Sequence, residues 1–242
     1  MRDGRFDPET QVLDFSHVPK CGGTTVHDFL ERLMDGRYVH CAPGLGWEDR
    51  IDAAVGAGGH QLRGQNPICH RPGKKAVRLI ILREPLQRIL SFYRHIRNHP
   101  NHYLAVRPEV KGKSFVDFAR YCRDAKVREF HDLQSQFVVG AKGNPQDVAQ
   151  VIDTFHSAYD FYAPLQMLPT LREELSRFFG KPAPELVSRN VSREVPIDPA
   201  EVRAAADIVY SHNYSDLQLY DACTTRFMRF LDDRRRNAAT AG

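Results

Sequence analysis

The chain has 242 residues, 42% of them hydrophobic and 26% charged, a balance that is typical of a globular domain and excludes disordered, collagen-like and disulfide-rich chains. Its formal net charge is +4, from 34 basic and 30 acidic residues, which permits an anionic ligand but is too weak to predict a nucleic-acid-binding protein. No apolar run approaches the roughly 20 residues of a membrane span. Because the sequence also shows no signal peptide, we expect a soluble, cytoplasmic protein.

The five cysteines are odd in number and include no CxxC pair, which indicates reduced thiols. The length predicts a single domain over 1–242. We expect its core at about 11–232, with loose termini on either side.

In the first half of the chain, short apolar segments alternate with helical patterns. Residues 12–18 predict a buried strand, and residues 24–34 predict a helix with one apolar face. Residues 41–75 are rich in Gly, Pro and His and indicate mostly loop, with a short strand near 59–62. Residues 76–82 are the clearest strand, a nearly continuous apolar run of the kind that fills a parallel sheet covered on both faces.

Helices dominate the rest of the chain. Pro85 stands where a first helical residue would, and apolar residues follow it with helical spacing up to Ile96. Residues 98–112 predict a long polar loop. The later elements are predicted helices at 114–123, 128–139, 145–156, 166–179, 199–210 and 214–232, a strand at 159–162 and a frayed tail from 234. The whole pattern predicts an α/β fold: a P-loop-like three-layer domain with a central parallel sheet of about four or five strands and additional C-terminal helices.

The most informative segment joins the first strand to the first helix and reads His17-Val18-Pro19-Lys20-Cys21-Gly22-Gly23-Thr24-Thr25. Its two glycines allow a tight turn whose N–H groups can approach a ligand closely. The helix N-terminus that follows favours an anion, and Thr24 and Thr25 can cap that helix and donate to phosphate-like oxygens. Lys20 adds a positive charge, but it precedes the glycines, so the segment is not a Walker A loop. These residues alone fit an ordinary strand–helix turn equally well.

This segment resembles the 5′-phosphosulfate loop of the sulfotransferases that use PAPS (3′-phosphoadenosine 5′-phosphosulfate), and most closely the carbohydrate branch that includes the heparan sulfate 2-O enzymes. That branch typically reads His-Ile/Val-Pro-Lys-Thr-Ala-Gly-Thr-Ser. Here Cys21 and Gly22 replace Thr and Ala, and Thr25 replaces Ser. The resemblance implies a bacterial-type, soluble member of the family. The residues that it implies for the 5′ end of PAPS are Lys20, Cys21, Gly22, Gly23, Thr24 and Thr25.

A second phosphate element follows the later apolar strand. In the family, such a strand ends in Arg-Asp/Glu-Pro, and a serine about two helical turns later joins the arginine on the 3′-phosphate; here these are Arg83 and Ser91. Arginine at the carboxyl end of a parallel strand suits a phosphate ligand. Taken alone, Arg83 fits a surface ion pair and Ser91 fits a tolerated helix residue. Arg88, Arg94 and Arg97 add positive charge that we expect to be mostly solvated.

His60 follows two glycines, at a position where the related carbohydrate enzymes carry a catalytic histidine after a strand. Sulfuryl transfer to a hydroxyl is an in-line displacement in which the acceptor loses a proton, and imidazole titrates near neutral pH. The resemblance therefore implies that His60 is the base and that Lys20 stabilises charge on the leaving phosphate oxygen, with no metal required. A loop or core histidine with one hydrogen bond is the plainer alternative for His60.

Other histidines suggest metal chemistry less strongly. His95, His99 and His102 are closely spaced, and Cys69 adjoins His70. No Cys/His quartet with a recognised zinc spacing appears, so no metal site is predicted.

Three weaker likenesses to the family extend the resemblance from about residue 13 to about residue 230; they lie at 134–140, 190–192 and 214–220. We expect the acceptor side in the long loops at 41–75 and 98–112. Three aromatic residues are available there to stack on a sugar: Trp47, Tyr103 and Tyr121.

The predicted function is transfer of a sulfuryl group from PAPS to a hydroxyl acceptor, with adenosine 3′,5′-bisphosphate as the second product. One alternative is a P-loop-type small-metabolite kinase, which needs the Walker A order and a carboxylate for Mg²⁺. A second is a non-catalytic nucleotide-binding adaptor, and a third is a nucleic-acid binder with salt-dependent DNA affinity. The acceptor stays open among saccharide, lipid head group, small natural product and tyrosine, and the oligomeric state is not predicted.

Overall fold

The computed structural model describes residues 1, 4–187 and 195–240. Its strands are β1 (Gln11–Ser16), β2 (Tyr38–Cys41), β3 (Gly56–Gly59), β4 (Lys75–Leu82) and β5 (Phe161–Pro164). They form one parallel sheet in the order β2-β3-β1-β4-β5. Residues 79–82 are each at most 1% exposed, so both faces of β4 are covered. This arrangement confirms the predicted α/β fold class with a central parallel sheet.

The helices of the described residues are α1 (Gly23–Leu33), α2 (Pro85–Asn98), α3 (Phe115–Asp124), α4 (Leu133–Val139), α5 (Val148–Ala158), α6 (Leu168–Phe179), α7 (Pro199–Ser211) and α8 (Tyr214–Thr240). Pro85 is the first residue of α2, as predicted, and the Glu84 side chain accepts hydrogen bonds from the next two free amides. Two predictions were wrong in extent. The start of the helix predicted at 128–139 is a separate 3₁₀ turn, and α8 continues through the predicted frayed tail.

Two strands show where the sequence pattern misled us. β2 lies between the helix predicted at 24–34 and the loop predicted at 41–75, where the sequence analysis predicted no strand. The strand predicted near 59–62 ends at Gly59 instead. β3 reads Gly-Ala-Gly-Gly, which has little intrinsic strand preference. A Cβ on Gly58 would lie 2.4 Å from the Tyr38 hydroxyl oxygen and 2.8 Å from Phe15 Cβ. Side chains of both neighbouring strands therefore cover β3 at Gly58, and only glycine fits at that position.

The helices pack around two main cores. The larger core joins apolar residues of the sheet to α1, α4, α5, α6 and α8. The second is formed by α2, α3 and α7 and includes Ile89, Phe118 and Val209. Among the described residues, no helix combines the length and the apolar character that crossing a bilayer demands. The family-like segment 190–192 lies outside the described residues.

The order of the strands positions the site. β1 lies between β3 and β4, so the chain leaves β1 towards one edge of the sheet and later returns to its other side. In open parallel sheets, the crevice at the carboxyl ends beside such a switch point is where ligands bind.

Candidate functional site

A cavity of about 1050 Å³ opens at the carboxyl ends of β1, β3 and β4. One side, which we name the strand-end wall, is formed by Lys20, Gly22, Gly23, Thr24, Thr25, His60 and Arg83. Another part of the lining, which we name the distal wall, is formed by His95, Arg97, Asn98, His99, His102, Arg128 and Glu129. Ser91 of α2 also lines the cavity. Apart from Cys21, every residue that the sequence analysis assigned to the site therefore borders this one cavity.

The loop after β1 turns sharply because Lys20 and Gly22 both adopt left-handed backbone, with φ of 70° and 78°. The first hydrogen bond of α1 runs from Val26 N to Gly22 O at 3.2 Å. The amides of residues 23–25 therefore precede the bonded ladder of the helix, at the positive end of its dipole. The two threonines stand inside the first turn, so our expectation that they cap the helix was wrong.

Gly23 is fixed by a close approach. A Cβ on Gly23 would lie 1.7 Å from Nε2 of His17, whose buried ring covers this position. No larger residue fits unless His17 moves.

Lys20 and Arg83 meet at the strand-end wall. Arg83 Nη1 donates a hydrogen bond to the carbonyl oxygen of Lys20 at 3.1 Å. Burial, and then the charge of Arg83, lowers the pKa of Lys20, and burial also lowers the pKa of Arg83. Two neighbouring, partly desolvated cations make this part of the cavity favourable for an anion.

Gln134 holds the backbone of Arg83, a role that the sequence analysis missed. Its side-chain Nε2 donates to Arg83 O at 2.8 Å, and its Oε1 accepts from Arg83 N at 2.8 Å. The Gln134 side chain is fully buried at the start of α4. The family-like segment 134–140 marked the region, but only the fold shows which residue in it reaches the site.

Cys21 points away from the cavity. Its thiol is buried, and Sγ lies 3.5 Å from Gln134 Oε1. Burial raises the pKa of Cys21 to about 12, so the side chain is a neutral thiol at physiological pH. Cys21 therefore contributes only its backbone to the loop after β1.

Arg88 is not solvated, contrary to our expectation. Its side chain is fully buried, and it donates to Glu129 O at 3.0 Å and to Asn213 Oδ1 at 3.3 Å. Arg88 Nη2 also lies 4.0 Å from Oδ2 of the buried Asp216. That carboxylate accepts hydrogen bonds from the backbone amides of Gln134 and of the residue after it, at 3.1 and 2.7 Å. A buried polar network from α8 therefore anchors α4, which carries the residue that holds Arg83.

His60 stands directly after β3. Its Nδ1 lies 3.0 Å from the carbonyl oxygen of His17. Because a carbonyl only accepts, Nδ1 carries the hydrogen, and the lone pair of the neutral ring is at Nε2. Desolvation of the ring, helped by the charge of Lys20, lowers the pKa of His60, while the bond to His17 opposes that shift. His60 is therefore neutral at pH 7 and can accept a proton at Nε2.

The distal wall is built on the last turns of α2 and the segment that follows it. The rings of His95 and His99 lie 4.0 Å apart, and His99 Nδ1 donates to His95 O at 2.8 Å. Burial, followed by the charge of Lys20, lowers the pKa of His95 to about 4. This wall therefore presents neutral imidazole alongside the guanidinium groups of Arg97 and Arg128.

The expected acceptor loops contribute unequally. His99 and His102, from the loop at 98–112, line the cavity, and the Tyr103 hydroxyl donates to Glu129 Oε2 at 2.9 Å. Of the described residues in 41–75, His60 alone is in the cavity lining. Trp47 and Tyr121 pack against apolar clusters elsewhere.

The parallel sheet, the cavity at its switch point and the cationic side chains beside a helix N-terminus define an α/β protein with a cationic cleft. A sequence model of the sulfotransferase family matches residues 5–147, more than half of the chain. The chain therefore belongs to the sulfotransferase family, whose members are transferases of the sulfuryl group. It also aligns with the crystal structure of a sulfotransferase from Alicyclobacillus acidocaldarius, with a TM-score of 0.42 and 13% identity over 87% of this chain and 98% of that one. No curated protein matches the chain.

Proposed function

We propose that the protein transfers a sulfuryl group from PAPS to a hydroxyl-bearing acceptor and releases adenosine 3′,5′-bisphosphate. The observation that carries this proposal is that Lys20, His60 and Arg83, from the ends of three adjacent strands, border one cavity. Such a reaction needs a cation at the leaving group, a base for the acceptor and a grip on the second phosphate. These three residues supply one function each.

The donor would bind along the strand-end wall. The amides at the start of α1 and the Lys20 ammonium suit the 5′-phosphosulfate. The planar guanidinium of Arg83 suits the 3′-phosphate, with the Ser91 hydroxyl as a further donor. The hold of Gln134 on both backbone polar groups of Arg83 supports this assignment, because it fixes where the guanidinium side chain starts.

In the reaction, an oxygen of the acceptor forms a bond to sulfur while the bond from sulfur to the phosphate oxygen breaks. The acceptor proton passes to Nε2 of His60, the nitrogen that carries the lone pair. The negative charge that develops on the leaving phosphate oxygen is stabilised by the Lys20 ammonium. The chain's own cations thus perform the electrostatic work for which many phosphoryl-transfer enzymes use a metal ion.

The acceptor would lie between His60 and the distal wall. We propose a saccharide or another small hydroxyl compound, because the wall offers imidazole, guanidinium and carboxylate groups that hydrogen-bond to hydroxyls. We also propose a cytoplasmic location, which is supported by five cysteines that are all unpaired.

The decisive experiment compares wild type with His60→Ala, using labelled PAPS and a panel of hydroxyl compounds. Without its base, the variant should lose about 10²- to 10⁴-fold in turnover. Its affinity for adenosine 3′,5′-bisphosphate, measured by calorimetry, should stay unchanged. His70→Ala, an exposed histidine outside the cavity, is the matched control and should behave as wild type.

Three results separate the alternatives. Labelled ATP as donor tests for a kinase, and label transfer from ATP but not from PAPS would replace our proposal. A wild type that binds the bisphosphate without turning over any acceptor would indicate an adaptor. Failure of the wild-type protein to bind adenosine 3′,5′-bisphosphate would overturn the site assignment itself.

A further inference from the structure

Three histidines whose rings have no part in the proposed reaction lie together beside the strand-end wall, and one of them, His17, also lines the cavity. His17 follows β1, His27 lies on α1 and His40 lies on β2. One ring nitrogen from each lies within 4.8 Å of the other two. His17 and His27 are buried, and His40 is half-buried. Because the three belong to different elements, no ligand spacing in the sequence reveals the group.

The group does not extend the base into a proton relay. His60 Nδ1 donates to the backbone carbonyl of His17, not to its ring. A proton that His60 accepts at Nε2 therefore has no hydrogen-bonded route from that ring into the cluster. Burying an imidazole nitrogen without a hydrogen-bond partner is costly, and, within the described part of the chain, the cluster contains such a nitrogen on His40.

The chemical state of the cluster suits a metal ion. Burial is the main cause that lowers the pKa of His17, His27 and His40. The rings are therefore neutral at pH 7, and each keeps the lone pair with which imidazole binds a metal. His40 Nε2 is buried and has no hydrogen-bond partner among the described residues.

The geometry is close to that of a metal site. His27 Nε2 and His17 Nδ1 lie 2.9 Å apart and share a hydrogen bond, which a bound ion would replace as both nitrogens turn their lone pairs to the metal. Zinc–nitrogen bonds of about 2.0–2.1 Å in a tetrahedral site separate neighbouring nitrogens by about 3.4 Å. The pair needs to open only slightly, whereas the His40 ring, stacked on His27 with centroids 3.7 Å apart, needs to rotate towards the shared point.

A neighbouring residue already orients one ring. The Tyr38 hydroxyl lies 2.7 Å from His27 Nδ1. When that nitrogen carries the hydrogen and donates it to Tyr38, the lone pair of His27 is at Nε2, facing His17. A partner of this kind behind a ligating histidine is a regular feature of metal sites.

We propose that His17, His27 and His40 form a binding site for a divalent transition-metal ion of the zinc class, with water as a further ligand. Imidazole donors select such ions over magnesium or calcium. A bound ion would join the end of β1, α1 and β2 directly behind the phosphate loop. The proposal does not depend on the sulfuryl-transfer reaction.

The test uses the full chain, stripped of metal with a chelator and checked for folding by circular dichroism. We titrate it with Zn²⁺ in a calorimeter and with Co²⁺ by visible absorption, which reports tetrahedral coordination. Wild type should bind one equivalent and melt at a higher temperature with metal than without, because an ion that binds the native state stabilises it. Tyr38→Phe should weaken metal binding about 10- to 100-fold through loss of the partner behind His27.

His40→Ala should abolish the tight equivalent, and His40→Gln provides a polar version of the same test if the alanine variant does not fold. His156→Ala and His99→Ala are the controls, since they remove exposed histidines away from the cluster. Absence of metal binding in wild type, or full affinity in His40→Ala or His40→Gln, would overturn the proposal. So would loss of binding in His99→Ala, which would assign the ion to the distal wall. Affinity for adenosine 3′,5′-bisphosphate, measured on the same samples, reports separately on the proposed function.

Discussion

The two walls of the cavity are held in different ways. On the strand-end wall, Arg83 is fixed by two hydrogen bonds from the buried Gln134, and His60 is fixed by the carbonyl of His17. On the distal wall, His99 bonds only within its own turn, to His95 O, and the chain continues into a long segment without helix or strand. A wall set by strand ends suits a ligand of constant shape, whereas a wall that includes residues of a long loop suits a ligand that differs between relatives. This difference supports our proposal that the donor binds at the first wall and the acceptor at the second.

The largest expected effect is on the chemical step at the strand-end wall. Lys20→Ala should lower turnover about 10²- to 10³-fold, the usual loss when one group that stabilises a developing oxyanion is removed. The measurement is kcat with saturating PAPS, alongside Lys142→Ala, which removes an exposed lysine outside the cavity. Turnover close to wild type in Lys20→Ala would contradict the role that we give this residue.

A smaller effect, on nucleotide affinity, should distinguish binding of the 3′-phosphate from binding of the 5′ end of the donor. Arg83→Ala should weaken adenosine 3′,5′-bisphosphate about 10- to 100-fold, since hydrogen bonds to charged groups contribute about 1.5–3 kcal/mol and 1.4 kcal/mol is tenfold. Adenosine 5′-monophosphate lacks the 3′-phosphate, so its affinity should not change. Calorimetry with both nucleotides measures the contrast, and Arg120→Ala, in an exposed ion pair, is the control. An equal loss for both nucleotides would remove the 3′-phosphate from Arg83.

The pH dependence tests the base. The pKa of His60 is lowered, and its neutral form is the active one, so kcat/KM should be flat above the usual histidine range. It should fall as the pH drops through the lowered value, because protonation removes the lone pair from Nε2. A profile from pH 5 to 8 measures this limb, which His60→Ala should lose. A limb that persists in the variant would indicate another base.

Gln134→Ala tests whether the support of the strand-end wall matters for binding. Losing the side chain leaves two partly buried backbone groups of Arg83 without these partners, which should lower the free energy of unfolding by up to about 1–3 kcal/mol each. Denaturant melts should show this loss, and the bisphosphate should bind several-fold more weakly while the monophosphate does not. Gln134→Glu keeps one acceptor and should be intermediate in stability. Weakening of both nucleotides alike would indicate general damage instead of misplacement of Arg83.

The smallest effect is expected on the distal wall. His95→Ala should raise the KM of the acceptor several-fold and leave the affinity for the bisphosphate unchanged. Steady-state kinetics with the acceptor found in the panel measures the first, and calorimetry measures the second. A loss of bisphosphate affinity would show that the donor also contacts the distal wall. It would contradict our proposal that one wall binds the donor and the other the acceptor.

The strand-end wall could be predicted because its residues are local to strand–turn–helix segments. Arg83 stands directly after β4 and Lys20 lies in the short loop after β1, and parallel strands bring their carboxyl ends to the same edge. β3 was not predicted because glycine is required there by close contacts with Phe15 and Tyr38 on the neighbouring strands, and those contacts are not visible in the sequence. Gln134 and the buried Arg88 escaped prediction because their partners are distant in sequence, and an isolated arginine or glutamine on a helical pattern looks like a surface residue.

The buried carboxylate of Asp216 has a practical consequence for shortening this protein. The match to the family ends at residue 147, yet the amides that start α4 are bound by a residue of α8 far downstream. A fragment cut at the end of that match would retain both loops that we propose to bind phosphate, but it would lose the helix that supports Gln134 and, through it, Arg83. Truncated or chimaeric versions of this protein should therefore keep α8 together with the N-terminal half of the same chain, because α8 supports the cavity through its contact with the start of α4.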